Sequence, residues 1–194
     1  MTQLLSLYHS LTARLERLGW LTPTLARLIF AGVLFYYFWQ SGVSKIAFDQ
    51  GLTGLFTPTD GAFAQIFPKA AEAALYDVSQ MTALQKLIAV AGGWAEIVLP
   101  LLIVLGLFTR LTALGMIGFV IVQSLTDIFG HGVKLGLAAN DTWFDRYSDG
   151  LLLDQRAFWV FVLVVLVIRG GGPLALDRVL ERKSGIGGLA PLPN

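Results

Sequence analysis

The sequence predicts an all-α membrane protein: a four-helix transmembrane bundle preceded by an amphipathic helix at the membrane interface. The 194 residues are 55% apolar and only 14% charged, and the mean hydropathy is +0.68. This composition is too apolar for a soluble globular domain and is typical of a small polytopic membrane protein. Four apolar stretches are long enough to cross a bilayer, which takes roughly 20 helical residues. They lack the period-two alternation of strands, which favours helices.

The predicted spans divide the chain into three regions. A bundle over residues 24–170 follows an N-terminal segment, 1–23, and precedes a C-terminal tail, 171–194. Each terminal region contains a segment whose apolar residues recur at helical spacing. The four predicted spans cover about residues 24–46, 84–108, 110–129 and 151–170.

Polar residues near the ends of two predicted spans are expected to lie at the membrane boundaries. Asp154, Gln155 and Arg156 interrupt the start of the fourth span, and we interpret them as interfacial, with 157–168 in the hydrocarbon. Arg27, near the start of the first span, is expected to extend its guanidinium to water or to lipid phosphate.

The N-terminal segment has the pattern of a short helix that lies on the membrane surface. Charged residues occupy the other faces of this helix, and a similar pattern covers 174–182, before a Gly/Pro-rich tail predicted to be disordered. The first apolar run is preceded by more than twenty residues and lacks a small-x-small cleavage site, so it is expected to remain as an anchor. The apolar residues of the N-terminal helix are Leu4, Tyr8, Leu11, Leu15 and Leu18.

The distribution of Lys and Arg predicts the orientation of the bundle. Basic residues are concentrated in the N-terminal segment, in the short turn at Arg110 and in the C-terminal tail. The loops 47–83 and 130–150 are longer and mix their basic residues with acids. Cytoplasmic segments carry the excess of basic residues, so both termini are predicted to be cytoplasmic and the long loops to lie outside.

Composition also excludes several classes of function. A net charge of +1 gives no indication of a nucleic-acid partner. The absence of cysteine excludes a disulfide, a thiolate metal site or a thiol redox centre within the chain. With only His9 and His131 available, no metal site is predicted.

Glu96 is the most informative single residue, because it lies within the long apolar run of the second predicted span. An ionised carboxylate inside a bilayer costs at least a few kcal/mol, so Glu96 needs a proton, a cation or a ligand. In a structural role it pairs with Lys45 or hydrogen-bonds Ser41, Gln40 or Gln123. In a functional role it carries a proton or binds a quinone-like head group, with Lys45 and Gln123 as further contacts to a quinone or lipid head group.

The end of the third predicted span has one polar face. Gln123, Asp127 and His131 follow one another at i, i+4 steps. An Asp–His pair can orient an imidazole for proton transfer or bind a metal weakly. The alternative is an ordinary polar helix terminus at the interface. Glu96, Asp127 and His131 are therefore the candidate catalytic residues.

Several short motifs follow one another in a distinctive order along residues 24–178. In this order the chain resembles the DoxX family of small bacterial membrane proteins. The resemblance implies that Lys45, Glu96, Arg110 and His131 form a polar set. The motifs are SGVSK at 41–45, GG at 92–93 before Glu96, LGLFTR at 105–110, FGH at 129–131 and RGGGPLALD at 169–177.

The resemblance implies a bacterial inner-membrane protein that is a membrane subunit of a quinone-linked redox, sulfur/thiol or oxidative-stress system. Two alternatives stay open. One is a non-catalytic scaffold or accessory factor that docks a periplasmic or membrane partner, including metal-handling or peptide-maturation systems. The other is a small proton-coupled transporter. The lipid bilayer, a partner redox or modification protein and a second copy of the chain are the expected partners. The cofactor is left open, with a quinone as the candidate.

Overall fold

The computed structural model describes residues 2–184, which are mostly helical with no β-strand among them. Four helices are long and apolar enough to cross a membrane, which confirms the predicted four-helix bundle. The tail from residue 185 onward, which the sequence predicts to be disordered, lies outside the described residues. In chain order, the first to fourth spans are Leu21–Lys45, Ala83–Leu105, Thr109–Gly130 and Leu151–Arg169.

The four spans form a closed ring around one apolar core. The first span packs against the second and the fourth, and the third span packs against the same two helices. On the first span the core residues recur every four positions, at Ala26, Phe30, Leu34 and Phe38. This spacing keeps one stripe facing inward through the π-helical turn at Phe30–Phe35.

Short sequence signals determine both ends of the second span. Thr82 and Gln85 form a reciprocal capping box at its start. At its end Gly106 adopts φ 71°, a left-handed conformation that glycine takes without steric cost. Thr109 already begins the third span, so the connection is tight.

Two helices flank the bundle outside the spans. The N-terminal helix, Thr2–Glu16, exposes its apolar residues, including Leu4 at 73% and Leu15 at 65%. Leu176–Ser184 forms the C-terminal helix. Its Asp177 accepts hydrogen bonds from the backbone N–H groups of Phe108 and Thr109 and so caps the start of the third span.

Arg27 differs from the expectation that its guanidinium reaches water or lipid phosphate. It is half-buried and donates to the carbonyl oxygens of Ile103, Val104 and Gly171. The last carbonyls of a helix have no partner within the helix, and a cation there also opposes the helix dipole. Arg27 therefore ties the first span to the end of the second.

Arg110 binds the last carbonyl groups of the fourth span in the same way. Its guanidinium donates to the carbonyl oxygens of Val167 and Ile168, at 2.9 and 2.7 Å. Arg110 thus joins the third and fourth spans, because it lies beside the last carbonyl groups of the fourth span.

The long loop between the first and second spans folds over the end of the bundle. Its short helices, Asp60–Ile66 and Pro68–Ala73, pack on the second span through a separate small core. Trp94 of the second span donates from its indole N–H to the carbonyl of Leu55 at 2.9 Å. Thr59 donates its backbone N–H to the carbonyl of Lys45 at 3.0 Å, so the loop lies directly against the end of the first span.

Candidate functional site

Lys45 and Glu96 form a buried ion pair between the first and second spans. The distance from Nζ to Oε2 is 2.7 Å, and the side chains are 6% and 3% exposed. Lys45 also donates to the hydroxyl and the carbonyl oxygen of Ser41, at 2.6 and 3.2 Å. An ammonium group has three protons, so these three bonds satisfy Lys45 completely.

Two glycines allow this pair to form. A Cβ on Gly42 would lie 2.7 Å from Cγ1 of Ile97 and 2.8 Å from the carbonyl oxygen of Gly93. A Cβ on Gly93 would lie 2.9 Å from Cδ1 of Ile46. The two spans cross in near backbone contact here, which is the usual role of small residues between membrane helices.

A second buried ion pair joins the third and fourth spans. Arg156 donates from Nη2 to Oδ2 of Asp127 at 2.5 Å and from Nη1 to the hydroxyl of Ser124 at 2.8 Å. Arg156 is only 4% exposed, so it is buried between helices rather than open to its surroundings. The fourth span starts at Leu151, more than a turn earlier, and Asp127 supplies the countercharge that makes burial of Arg156 tolerable.

Gln123 and two aromatic rings extend this pair toward the first span. The Gln123 side-chain amide donates to the hydroxyl of Tyr37 at 2.9 Å. The Tyr37 ring lies 5.4 Å from the ring of Trp159, whose centroid is 6.0 Å from Cζ of Arg156. We call this group the polar cluster; its members are Tyr37, Gln123, Ser124, Asp127, Arg156 and Trp159.

Two buried polar atoms of the polar cluster lack a hydrogen-bond partner among the described residues. They are Oε1 of Gln123, an acceptor, and Nε of Arg156, a donor. Buried polar atoms are nearly always paired, because leaving one unpaired costs about 1–3 kcal/mol. The polar cluster therefore has one acceptor and one donor available for a small polar group.

The predicted site residues separate into three places. Lys45 and Glu96 form an ion pair, which was one of the structural alternatives expected for Glu96. Gln123 and Asp127 belong to the polar cluster instead. His131 contacts the long loop between the first and second spans, with Nε2 3.0 Å from the carbonyl oxygen of Gln65. Asp127 and His131 thus have different partners, because Arg156 reaches Asp127 from the fourth span.

Neither Arg156 nor Tyr37 was among the predicted site residues. A usable signal existed for Arg156, because a charged residue inside a predicted span needs a partner, just as Glu96 does. Tyr37 had no such signal, since aromatic residues at this spacing usually pack between helices. Among residues 2–184, no group of three or more His, Cys, Asp or Glu side chains is arranged to hold a metal ion.

The fold and the buried ion pairs define a multi-pass membrane protein built as a four-helix bundle. The DoxX family model matches residues 22–127, more than half of the 194-residue chain, and the chain belongs to this family. The match covers most of the first three spans, ends within the third and does not include the fourth, which carries Arg156. No curated protein and no solved structure is significantly similar to the chain.

Proposed function

We propose that this protein is an inner-membrane subunit of a quinone-linked redox system and that the polar cluster binds the quinone head group. The observation that carries the proposal is the pair of buried, unpartnered atoms, Oε1 of Gln123 and Nε of Arg156. A quinone carbonyl accepts a hydrogen bond, which suits Nε of Arg156. A quinol hydroxyl donates one, which suits Oε1 of Gln123.

The surroundings of these atoms fit a flat, lipid-soluble ring. Trp159 and Tyr37 provide aromatic faces, and aromatic rings pack favourably on one another. Tyr37 is 44% exposed on a helix of the bundle, so a head group enters the polar cluster from the bilayer. A soluble substrate would have no such route.

Protons and electrons reach the quinone by different routes in this proposal. Reduction of a quinone to a quinol takes up two electrons and two protons. Asp127, with a side chain 23% exposed, and the exposed His131 pass protons from the outer side. Electrons come from a partner protein or a bound cofactor, because the chain has no cysteine for thiol redox chemistry.

The orientation and the role of the buried pair complete the proposal. Both termini are cytoplasmic, in accord with the positions of the basic residues, so the N-terminal segment 1–23 and the tail 171–194 are on that side. Glu96 and Lys45 hold the first and second spans together, since the bonds of Lys45 to Glu96 and Ser41 satisfy its ammonium group.

The first test is quinone retention by the purified protein. Gln123→Leu removes the acceptor, and Arg156→Lys keeps a cation for Asp127 but removes Nε. We expect each change to weaken binding about tenfold, which corresponds to the loss of one hydrogen bond. The protein in lipid nanodiscs is titrated with ubiquinone or menaquinone. The bound quinone is then extracted and measured by chromatography, which gives the affinity.

The matched control is Gln155→Leu, one position from Arg156 and exposed. We expect it to bind quinone as the wild type does. Wild-type affinity in both Gln123→Leu and Arg156→Lys would contradict a quinone site in the polar cluster.

A second candidate, an accessory factor that docks an outer partner, is favoured by the exposed apolar residues of the two long loops. Leu52, Leu75 and Phe144 are 83%, 88% and 103% exposed. Exposed apolar patches commonly mark interaction sites. A growth assay distinguishes the two roles. We expect Gln123→Leu to abolish cellular function and Phe144→Ser to preserve it. If Phe144→Ser abolishes function and Gln123→Leu preserves it, the accessory role replaces the redox role.

A further inference from the structure

An apolar groove of about 450 Å³ lies between the outer loop and the third span. One wall is formed by Ile66, Phe67 and Pro68 of the loop, and the other by Val122, Leu125 and Phe129. Neither the ion pair of Glu96 nor the polar cluster uses this space. Its lining is almost entirely apolar, with Lys69 as the charged exception.

Two residues of the groove lining, Pro68 and Gly130, form a close contact between the loop and the third span. A Cβ on Gly130 would lie 3.0 Å from Cγ of Pro68, so this glycine allows the loop to approach. The contact of His131 with the carbonyl of Gln65 holds the same junction at 3.0 Å. These two contacts hold the loop against the third span beside the groove.

The wall formed by the third span is continuous with the membrane-facing surface of that helix. Val122 and Phe129 are 61% and 69% exposed on a helix that is long and apolar enough to cross the bilayer. Such side chains face lipid, so the groove opens into the bilayer near one of its surfaces. An acyl chain reaches this groove directly, whereas a soluble peptide does not.

Lys69 supplies charge complementarity at the rim. It lines the groove, is exposed, and has no ion-pair partner among residues 2–184. A lysine at this level extends its ammonium group to the head-group region, where it attracts phosphate. We propose that the groove binds an anionic phospholipid, with an acyl chain against Val122 and Phe129 and the head group at Lys69. This inference does not depend on the quinone proposal.

Lipid retention measured by native mass spectrometry tests the site. The probes are phosphatidylglycerol and phosphatidylcholine, added separately to the full-length protein in micelles. We expect the wild type to retain phosphatidylglycerol about fivefold better than phosphatidylcholine, because one lysine near a membrane surface attracts an anionic head group with about that strength. Lys69→Glu removes this preference. Lys86→Glu, at an exposed site outside the groove, keeps it.

Filling the groove separates the acyl chain from the head group. Ala70→Trp and Val122→Trp place an indole on opposite walls, and we expect both to lower retention of both lipids at least fivefold. Val122 is already exposed, so its variant folds even if Ala70→Trp does not. Wild-type retention of both lipids by Val122→Trp, or equal effects of Lys69→Glu and Lys86→Glu on the preference for phosphatidylglycerol, would overturn the proposal.

Discussion

Glu96→Leu is expected to lower the free energy of unfolding by about 3–5 kcal/mol, because it leaves the charge of Lys45 buried without a partner. Lys45 is only 5% exposed, and its remaining bonds go to the neutral oxygens of Ser41. The loss is measured by SDS titration of the protein in micelles, followed by tryptophan emission. Trp94 lies two residues from Glu96 and reports this region.

Two controls define the origin of the effect. Glu72→Leu removes an exposed carboxylate of the outer loop and is expected to change stability by less than about 0.5 kcal/mol. The double change Lys45→Met with Glu96→Leu removes both charges and keeps similar volumes. We expect it to recover most of the lost stability, because a buried ion pair is often replaced by apolar residues at little cost.

The double variant decides between two origins of the instability. Recovery means that the unpaired Lys45 charge causes the loss in Glu96→Leu. If the double variant is instead at least as unstable as Glu96→Leu, the Lys45–Glu96 pair itself contributes the stability, and the argument from an uncompensated charge is wrong.

Gly42→Val is expected to destabilise the protein by about 3 kcal/mol or more. Its first side-chain atom would lie 2.7 Å from Cγ1 of Ile97 and 3.0 Å from Cβ of Glu96. Overpacking alone costs about 1–3 kcal/mol. Separating the first and second spans also pulls Lys45 away from Glu96, which adds part of the cost of an unpaired charge. The same SDS titration measures the change.

Gly32→Val is the matched control, because it is the same substitution on the same span. A Cβ on Gly32 has no neighbour within 4 Å. We therefore expect Gly32→Val to unfold like the wild type. Equal stability of the two glycine variants would show that the first and second spans do not need their close crossing at Gly42.

The need of Glu96 for a partner was predictable, and Lys45 was among the partners proposed. The argument required only that a charge within an apolar span be neutralised. The capping residues Thr82 and Gln85 and the glycine at 106 likewise carry local signals, because caps depend on residues a few positions apart.

The polar cluster was not predictable in the same way. Gln123, Asp127 and His131 share one face in the sequence pattern, yet Asp127 binds Arg156 and His131 contacts the loop between the first and second spans. Whether Asp127 pairs with Arg156 or with His131 depends on the position of the fourth span in the bundle. No spacing within the third span contains that information.

The sequence by itself determined the four spans, the tight connection after Gly106 and the presence of buried charges that require partners. Hydropathy, capping and glycine conformation are properties of a segment, so a segment suffices to predict them. Only the tertiary structure decided that Glu96 takes Lys45, that Arg156 takes Asp127 and that Arg27 caps the second span. These choices depend on the crossing and rotation of whole helices, which are determined by packing between residues distant in the chain.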